Sequence, residues 1–220
     1  MTKAEKELYF SGVFPFWDKL TSNEKNLIIN NSQLLNYKKG ETIHDSSECT
    51  GVLLIKEGQL RVYIVSSEGR EVTLYRLNKG DICVLTASCI LKNINFNICV
   101  DAAADSELLC ITPAAFKELK TNNIIVENFI NEIINESYSD TMWTMEQILF
   151  MSFDKRLAIY LLDQGTEELH TTHEDIARDV GSAREVVSRM LKYFQNEGMI
   201  SLSRGTIIIK DKAKLRKLLA

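Results

Sequence analysis

Apolar positions three and four residues apart dominate the last third of the chain. Between Thr171 and Gln195, Ile176, Ala177 and Val180 mark the inner face of one short helix. Val187, Met190, Leu191 and Phe194, at i, i+3, i+4 and i+7, mark that of a second. Gly181 between them supplies a turn residue that takes a positive φ at little cost. The outward edge of the second helix repeats the spacing in polar residues, Glu185, Ser188, Arg189 and Lys192, with Arg184 at its start. The period then falls to two in EGMISLSRGTIIIKD, whose two short apolar runs around Ser203-Arg204-Gly205 predict a β-hairpin. Helix, turn, helix and hairpin in this order predict a winged helix-turn-helix. Periodicity without that context also suits an ordinary amphipathic helix pair with a solvated charged face.

Upstream the pattern changes twice. Residues 1–35 read as helical: Phe10, Val13, Phe14, Phe16 and Trp17 cluster, and Thr21-Ser22-Asn23-Glu24 offers an N-cap for a helix running to Leu35. From Tyr37, glycines at 40, 51, 58, 69 and 80 separate short alternating segments, which predicts an antiparallel barrel or jelly roll over 37–112. IKEGQLRVY and SSEGREVTLYRL read as consecutive hairpin arms, and SELLCI as a last strand before Thr112-Pro113, where proline suits a helix's first turn. From Asn122 to Ser152 there is no Gly or Pro, and Ile130, Ile133, Ile134, Tyr138, Thr141, Met145 and Ile148 recur at three- and four-residue steps. Such a long, narrow stripe predicts packing against the same helix of a second subunit. The polar Ser137, Asp140, Thr141 and Thr144 leave intramolecular packing as the alternative. Asp154 is expected to cap the next helix, KRLAIYLLDQ. The expected fold is α+β in three parts: an antiparallel β-roll with N-terminal helices over 1–121, a long dimerisation helix over 122–153, and a winged helix-turn-helix over 154–220.

Composition narrows the class. The 220 residues are 45% hydrophobic, enough for a proper core, and no run approaches a membrane span. MTKAEKELYF does not read as a signal peptide, so a cytoplasmic protein with no membrane contact is expected. Five cysteines, an odd number without a CxxC pair, argue against a secreted disulfide scaffold. The net charge of −4 is uneven: from Arg184 onward nine Lys or Arg face Glu185, Glu197 and Asp211, a local balance of +6 that leaves −10 for the rest. A basic end on an acidic body fits one end meeting phosphates, though Lys212 to Lys217 suit a solvated terminal helix equally well.

The order of these parts resembles the Crp/Fnr family of bacterial transcription regulators across nearly the whole chain. The resemblance is most specific at GSAREVVSRML followed by EGMISLSRGTIII, with KGDI at Lys79–Ile82 matching the end of the family's β-roll pattern. It implies a homodimer on palindromic double-stranded DNA, with RNA polymerase as a further partner if the protein activates. Family recognition helices carry R-E-x-x-x-R or E-x-x-S-R, and Arg184, Glu185, Ser188 and Arg189 satisfy both. Arg grips guanine O6 and N7 and Glu accepts from cytosine N4, so these four are the expected base readers of half-sites such as TGTGA or TTGAT. Thr172, His173 and Ser182 at helix N-termini, with Lys192 and Arg204, are the expected phosphate contacts. Ala183 stands where relatives often have a capping Ser or Thr, and Ser182 is expected to take over that role.

The likeness weakens at the sensor. Members that bind cyclic AMP carry Gly-Glu after this turn and an Arg further on for the cyclic phosphate. Here Val84 and Leu85 occupy the Gly-Glu positions, and no Arg occurs between Arg76 and Arg156. An anionic phosphate buried without a cation is costly, so cyclic AMP is not expected as the signal. Cys83, Cys89, Cys99 and Cys110, joined by Cys49, are the candidates for an iron–sulfur or redox sensor. A haem or apolar ligand would involve Cys89 or His44. The plain reading is packing, since cysteine is a small buried hydrophobe and the spacings match no cluster pattern. An enzyme is not expected: a β-roll metalloenzyme needs several His with a Glu, and of His44, His170 and His173 two lie in the helix-turn-helix. An effector-binding module without DNA binding would leave Arg184, Glu185 and the wing unexplained.

Overall fold

Thr2 and Thr21 open helices α1 (Lys3–Val13) and α2 (Ser22–Asn30) with the same device. Each hydroxyl accepts from the amide three residues on, while Glu5 or Glu24 reaches back to the cap's own amide, satisfying two orphan donors at once. The computed structural model describes residues 1–45, 47, 49–90 and 97–219, the side chains of 88–90 excepted. Phe10, Phe14, Phe16 and Trp17 stack with ring centroids 5.0 to 6.4 Å apart. The helix expected to reach Leu35 stops at Asn30. Asn31 leaves the helical region (φ −106, ψ 25), and Ser32–Tyr37 becomes strand β1. Pairing decides it: β1 runs antiparallel to β8 (Ser106–Ile111) residue for residue, from Ser32 opposite Ile111 to Tyr37 opposite Ser106.

The β-roll has two four-stranded antiparallel sheets. One is ordered β1-β8-β3-β6, with β3 Val52–Glu57 and β6 Ile82–Cys83; the other β2-β7-β4-β5, with β2 Thr42–His44, β4 Gln59–Val65, β5 Glu71–Asn78 and β7 Cys99–Ala102. IKEGQ is therefore a corner between sheets. Gly58 makes it at φ +93, where a Cβ would strike the Ser106 hydroxyl and the Asp105 carbonyl. β4 and β5 are neighbours joined by a turn in which Ser66 N donates to Arg70 O at 2.8 Å. β8 leads into α3 (Pro113–Asn122), with proline in the first turn, and then α4 (Ile124–Phe150) of 27 residues.

The chain divides into two compact units, residues 1–64 with 75–140 and residues 65–74 with 141–220. In the first, Val126 and Ile130 of α4 are fully buried, and Phe129 meets Phe14 and Phe16 edge-on. The second holds α5 (Phe153–Asp163), α6 (His173–Asp179), α7 (Arg184–Asn196), α8 (Lys212–Lys217) and a sheet ordered β10-β11-β9. Strands β10 (Ile200–Ser203) and β11 (Thr206–Ile209) are the expected hairpin, and β9 (Glu168–His170) joins β11 with Leu169 opposite Ile207. Leu157, Leu161, Ile176, Leu191, Phe194 and Leu215 form its core. Ser152, not Asp154, precedes α5; Asp154 lies within the first turn, where a carboxylate still favours the helix dipole. The architecture is α+β. Among the described residues no helix is long and apolar enough to cross a membrane.

Candidate nucleic-acid interface

α7 is built to present one face. Val187, Leu191 and Phe194 are fully buried, and each such burial is worth about 1.5–3 kcal/mol, so the helix cannot roll without exposing them. Arg184, Glu185, Arg189 and Lys192 consequently stand exposed, with Ser188 half-buried on the same side. The turn that sets the entry of α7 depends on Gly181, at φ +62, where an added Cβ would lie 3.2 Å from Ile148 Cδ1. α7 begins after Ala183 without a side-chain cap; Ser182 does not take over, and its amide donates to Ala177 O at 2.9 Å. α6 is capped: the Thr172 hydroxyl accepts from Asp175 N at 3.0 Å and lies 2.8 Å from Asp175 Oδ2.

A cleft of about 520 Å³ opens between this helix pair and the wing, lined by Thr171, Thr172, His173, Arg184, Arg204 and Gly205 among others. It gathers three of the five expected phosphate contacts, Thr172, His173 and Arg204, beside Arg184, one of the expected base readers; Ser182 and Lys192 do not line it. Burial and then the neighbouring Arg184 charge hold the His173 pKa below its ordinary value.

The turn has further partners that the sequence pattern gives no sign of. Arg70, Glu71 and Thr73, at the tip of the β4–β5 hairpin within the second unit, meet Gly181, Arg178 and Asp179. A basic residue at a hairpin tip reads as solvated, and nothing local joins it to a residue 111 positions away.

The cysteines are dispersed. Cys83 on β6 and Cys110 on β8 both lie in register with Leu53 of β3, so one strand separates them, roughly 10 Å at the usual strand spacing. Cys99 lies on β7 in the other sheet. Burial pushes the Cys83 thiol up and the Cys110 thiol up to about 11, away from the thiolate a metal or oxidant needs. Cys49 is in a disulfide, and the Cys89 side chain lies outside the described residues. Among the described residues no three His, Cys, Asp or Glu converge as a metal-binding group, so these thiols do not fit an iron–sulfur cluster. His44, the other haem candidate, is buried with Nδ1 2.9 Å from Thr50 Oγ1.

On α4, Ile130 is fully buried in its own unit, while Ile134 and Thr141 are half-buried. Tyr138, Met145 and Ile148 are exposed, and so are Met142 and Leu149, which the three- and four-residue count from Ile130 passes over. Tyr138, Met142, Met145 and Leu149 form a row at alternating four- and three-residue steps.

Comparison with known proteins agrees with this architecture. Residues 155–218 match the Crp-like helix-turn-helix domain, and residues 34–123 the cyclic nucleotide-binding domain. The chain is 46% identical to a crystal structure assigned to the crp/fnr family of transcriptional regulators, from Eubacterium rectale. That likeness covers 94% of this chain and 99% of the other, with a TM-score of 0.91. It is 24% identical to the cyclic AMP receptor protein of Thermus thermophilus, over 93% of this chain and 96% of that protein. FixK2 from Bradyrhizobium japonicum, 18% identical, shares the fold at a TM-score of 0.69 over 86% of this chain and 98% of its own. With its reader helix, wing and β-roll in the family's order, the chain belongs to the Crp/Fnr family of DNA-binding transcription regulators and carries a cyclic-nucleotide-binding-like domain.

Proposed function

We propose that this regulator reads a palindromic DNA site as a homodimer, with Arg184, Glu185, Ser188 and Arg189 contacting base edges. Thr172, His173, Ser182, Lys192 and Arg204 contact phosphates. The carrying observation is the exposed polar row on a helix whose Val187, Leu191 and Phe194 are fully buried behind it, which leaves the row free for a groove. Two such helices related by two-fold symmetry would stand about one helical turn (~34 Å) apart, reading half-sites of the TGTGA or TTGAT type. In this reading residues 1–121 sense, 122–153 dimerise and 154–220 bind DNA in the cytoplasm. The protein performs no catalysis, and RNA polymerase is a partner if it activates. The β-roll signal is a small molecule or redox change other than cyclic AMP.

The experiment compares Arg189→Ala with Lys192→Ala on duplexes that the wild-type protein selects from a randomised pool. Loss of a base contact in Arg189→Ala should cost about 1–3 kcal/mol on the selected site and relax base choice at one position. Lys192→Ala should weaken selected and random duplexes alike and reduce the salt slope by about one. Equal losses on both duplexes in both variants would reject these roles.

A further inference from the structure

Two carbonyls leave the C-terminal end of α6 at the turn into α7, those of Val180 and Gly181, and an arginine holds each. Arg156 of α5 donates Nη1 to Val180 O at 2.9 Å, and Arg70 donates Nη2 to Gly181 O at 2.5 Å. Cations suit the negative end of a helix, and a guanidinium gives these bonds charge assistance. Three more contacts come from the same hairpin tip. The Thr73 hydroxyl is 3.0 Å from Asp179 Oδ1, Glu71 lies 3.8 Å from Arg178, and Val72 packs on the side of Gly181 where Ile148 also lies. Four consecutive residues, 70–73, therefore engage the stretch 178–181. The stems of this hairpin, β4 and β5, are strands of the β2-β7-β4-β5 sheet.

We infer that Arg70 is a positioning residue for DNA reading: by holding the Gly181 carbonyl it fixes the entry of α7 and so the presentation of Arg184, Glu185 and Arg189. The inference rests on the assignment of α7 as the reader. A glycine in the left-handed region has the widest choice of other conformations, and α7 has no side-chain cap to anchor its first turn. Beside the Ser182 amide's bond to Ala177 O, the turn is held by these bonds from outside the helix pair. A turn fixed in advance spares the ordering cost on binding, which is gained on the correct sequence and largely irrelevant to loose phosphate contact. The hairpin braces rather than masks, because Arg184, Glu185 and Arg189 all remain exposed.

The test uses full-length protein, duplexes selected by the wild type from a randomised pool, and the variants Arg70→Ala and Arg70→Lys. Arg70 is itself exposed, so the melting temperature should hold in both. Arg70→Ala should lose about tenfold in affinity for the selected duplex, with little change on random DNA, and amide exchange at 182–186 should accelerate. Arg70→Lys, which keeps one donor, should fall between. Wild-type affinity with unchanged exchange in Arg70→Ala would overturn the brace, and tighter binding would overturn it in favour of a restraint. A wild-type protein that selects no sequence would instead sink the reader assignment, and this inference with it.

Discussion

His173 shows how much one side chain can decide. Burial first, then Arg184, lowers its pKa from 6.5. The unfolded chain therefore binds this proton more readily than the folded one, and folding stability falls as pH drops below 6.5. A phosphate held there, as proposed, would act in the opposite sense, favouring the imidazolium, so that DNA binding would take up a proton. Affinity for the selected duplex should rise as pH falls from about 7.5 to about 6, by up to about tenfold per unit of pKa recovered. His173→Gln should flatten the profile in an anisotropy titration, and identical profiles in the two proteins would remove His173 from the phosphate contacts. At this scale the sequence is readable where geometry is local. The faces of Arg184, Glu185 and Arg189 follow from helical period and the buried Val187 and Leu191. Arg70 is not readable, because its partner lies 111 residues away and is a backbone carbonyl that any residue would offer.

Among the elements, the segment after β6 bears most on the signal. Val84, Leu85, Thr86 and Ala87 are buried, and Thr50 N and Gly51 N both donate to Thr86 O, at 3.0 and 3.3 Å. The Thr86 hydroxyl donates to Gly51 O at 2.7 Å. The carbonyl and hydroxyl of Thr86, the residue after Val84 and Leu85, are thus engaged by the chain itself. Arg61 of β4 stacks 4.1 Å over Tyr63, opposite Asp101 in register. Titrating cyclic AMP into the protein should give no stoichiometric heat, and tight one-to-one binding would reverse this reading. Elements were legible where a pattern ran long: α7, the wing, β8 and the proline start of α3. The boundary at Asn31 was not, since SQLLNY carries no strong strand signal and takes its conformation from β8, whose paired residues lie from 69 (Tyr37 to Ser106) to 79 (Ser32 to Ile111) positions on. Strand β9, three residues long, is likewise made by its partner β11 rather than by its own sequence.

For the whole molecule, the residues of the row Tyr138, Met142, Met145 and Leu149 are 64%, 42%, 47% and 62% exposed. A heptad-spaced apolar row of this kind supports a second copy of α4 as its cover. Met145→Glu would place facing charges at that seam. Sedimentation should then show monomers, and affinity for a palindromic duplex should fall toward that for a single half-site; a dimer that persists would exclude this row as the seam. The stripe on α4 was visible in the sequence. Ile130 is buried in its own unit, in which Phe14, Phe16 and Phe129 build an aromatic layer, a tertiary fact that no helical period contains.

The length of α4 has a mechanical consequence. Twenty-seven residues at 1.5 Å each make a rod of about 40 Å. Tilting such a rod by about 5° about one end carries the other through about 3.5 Å, close to the rise of one base pair. A signal needs to do no more than change an angle by a few degrees, an amount that ordinary side-chain repacking supplies. In the proposed reading, such an arm would convert it into the difference between matching a half-site and missing it by one step of the DNA ladder.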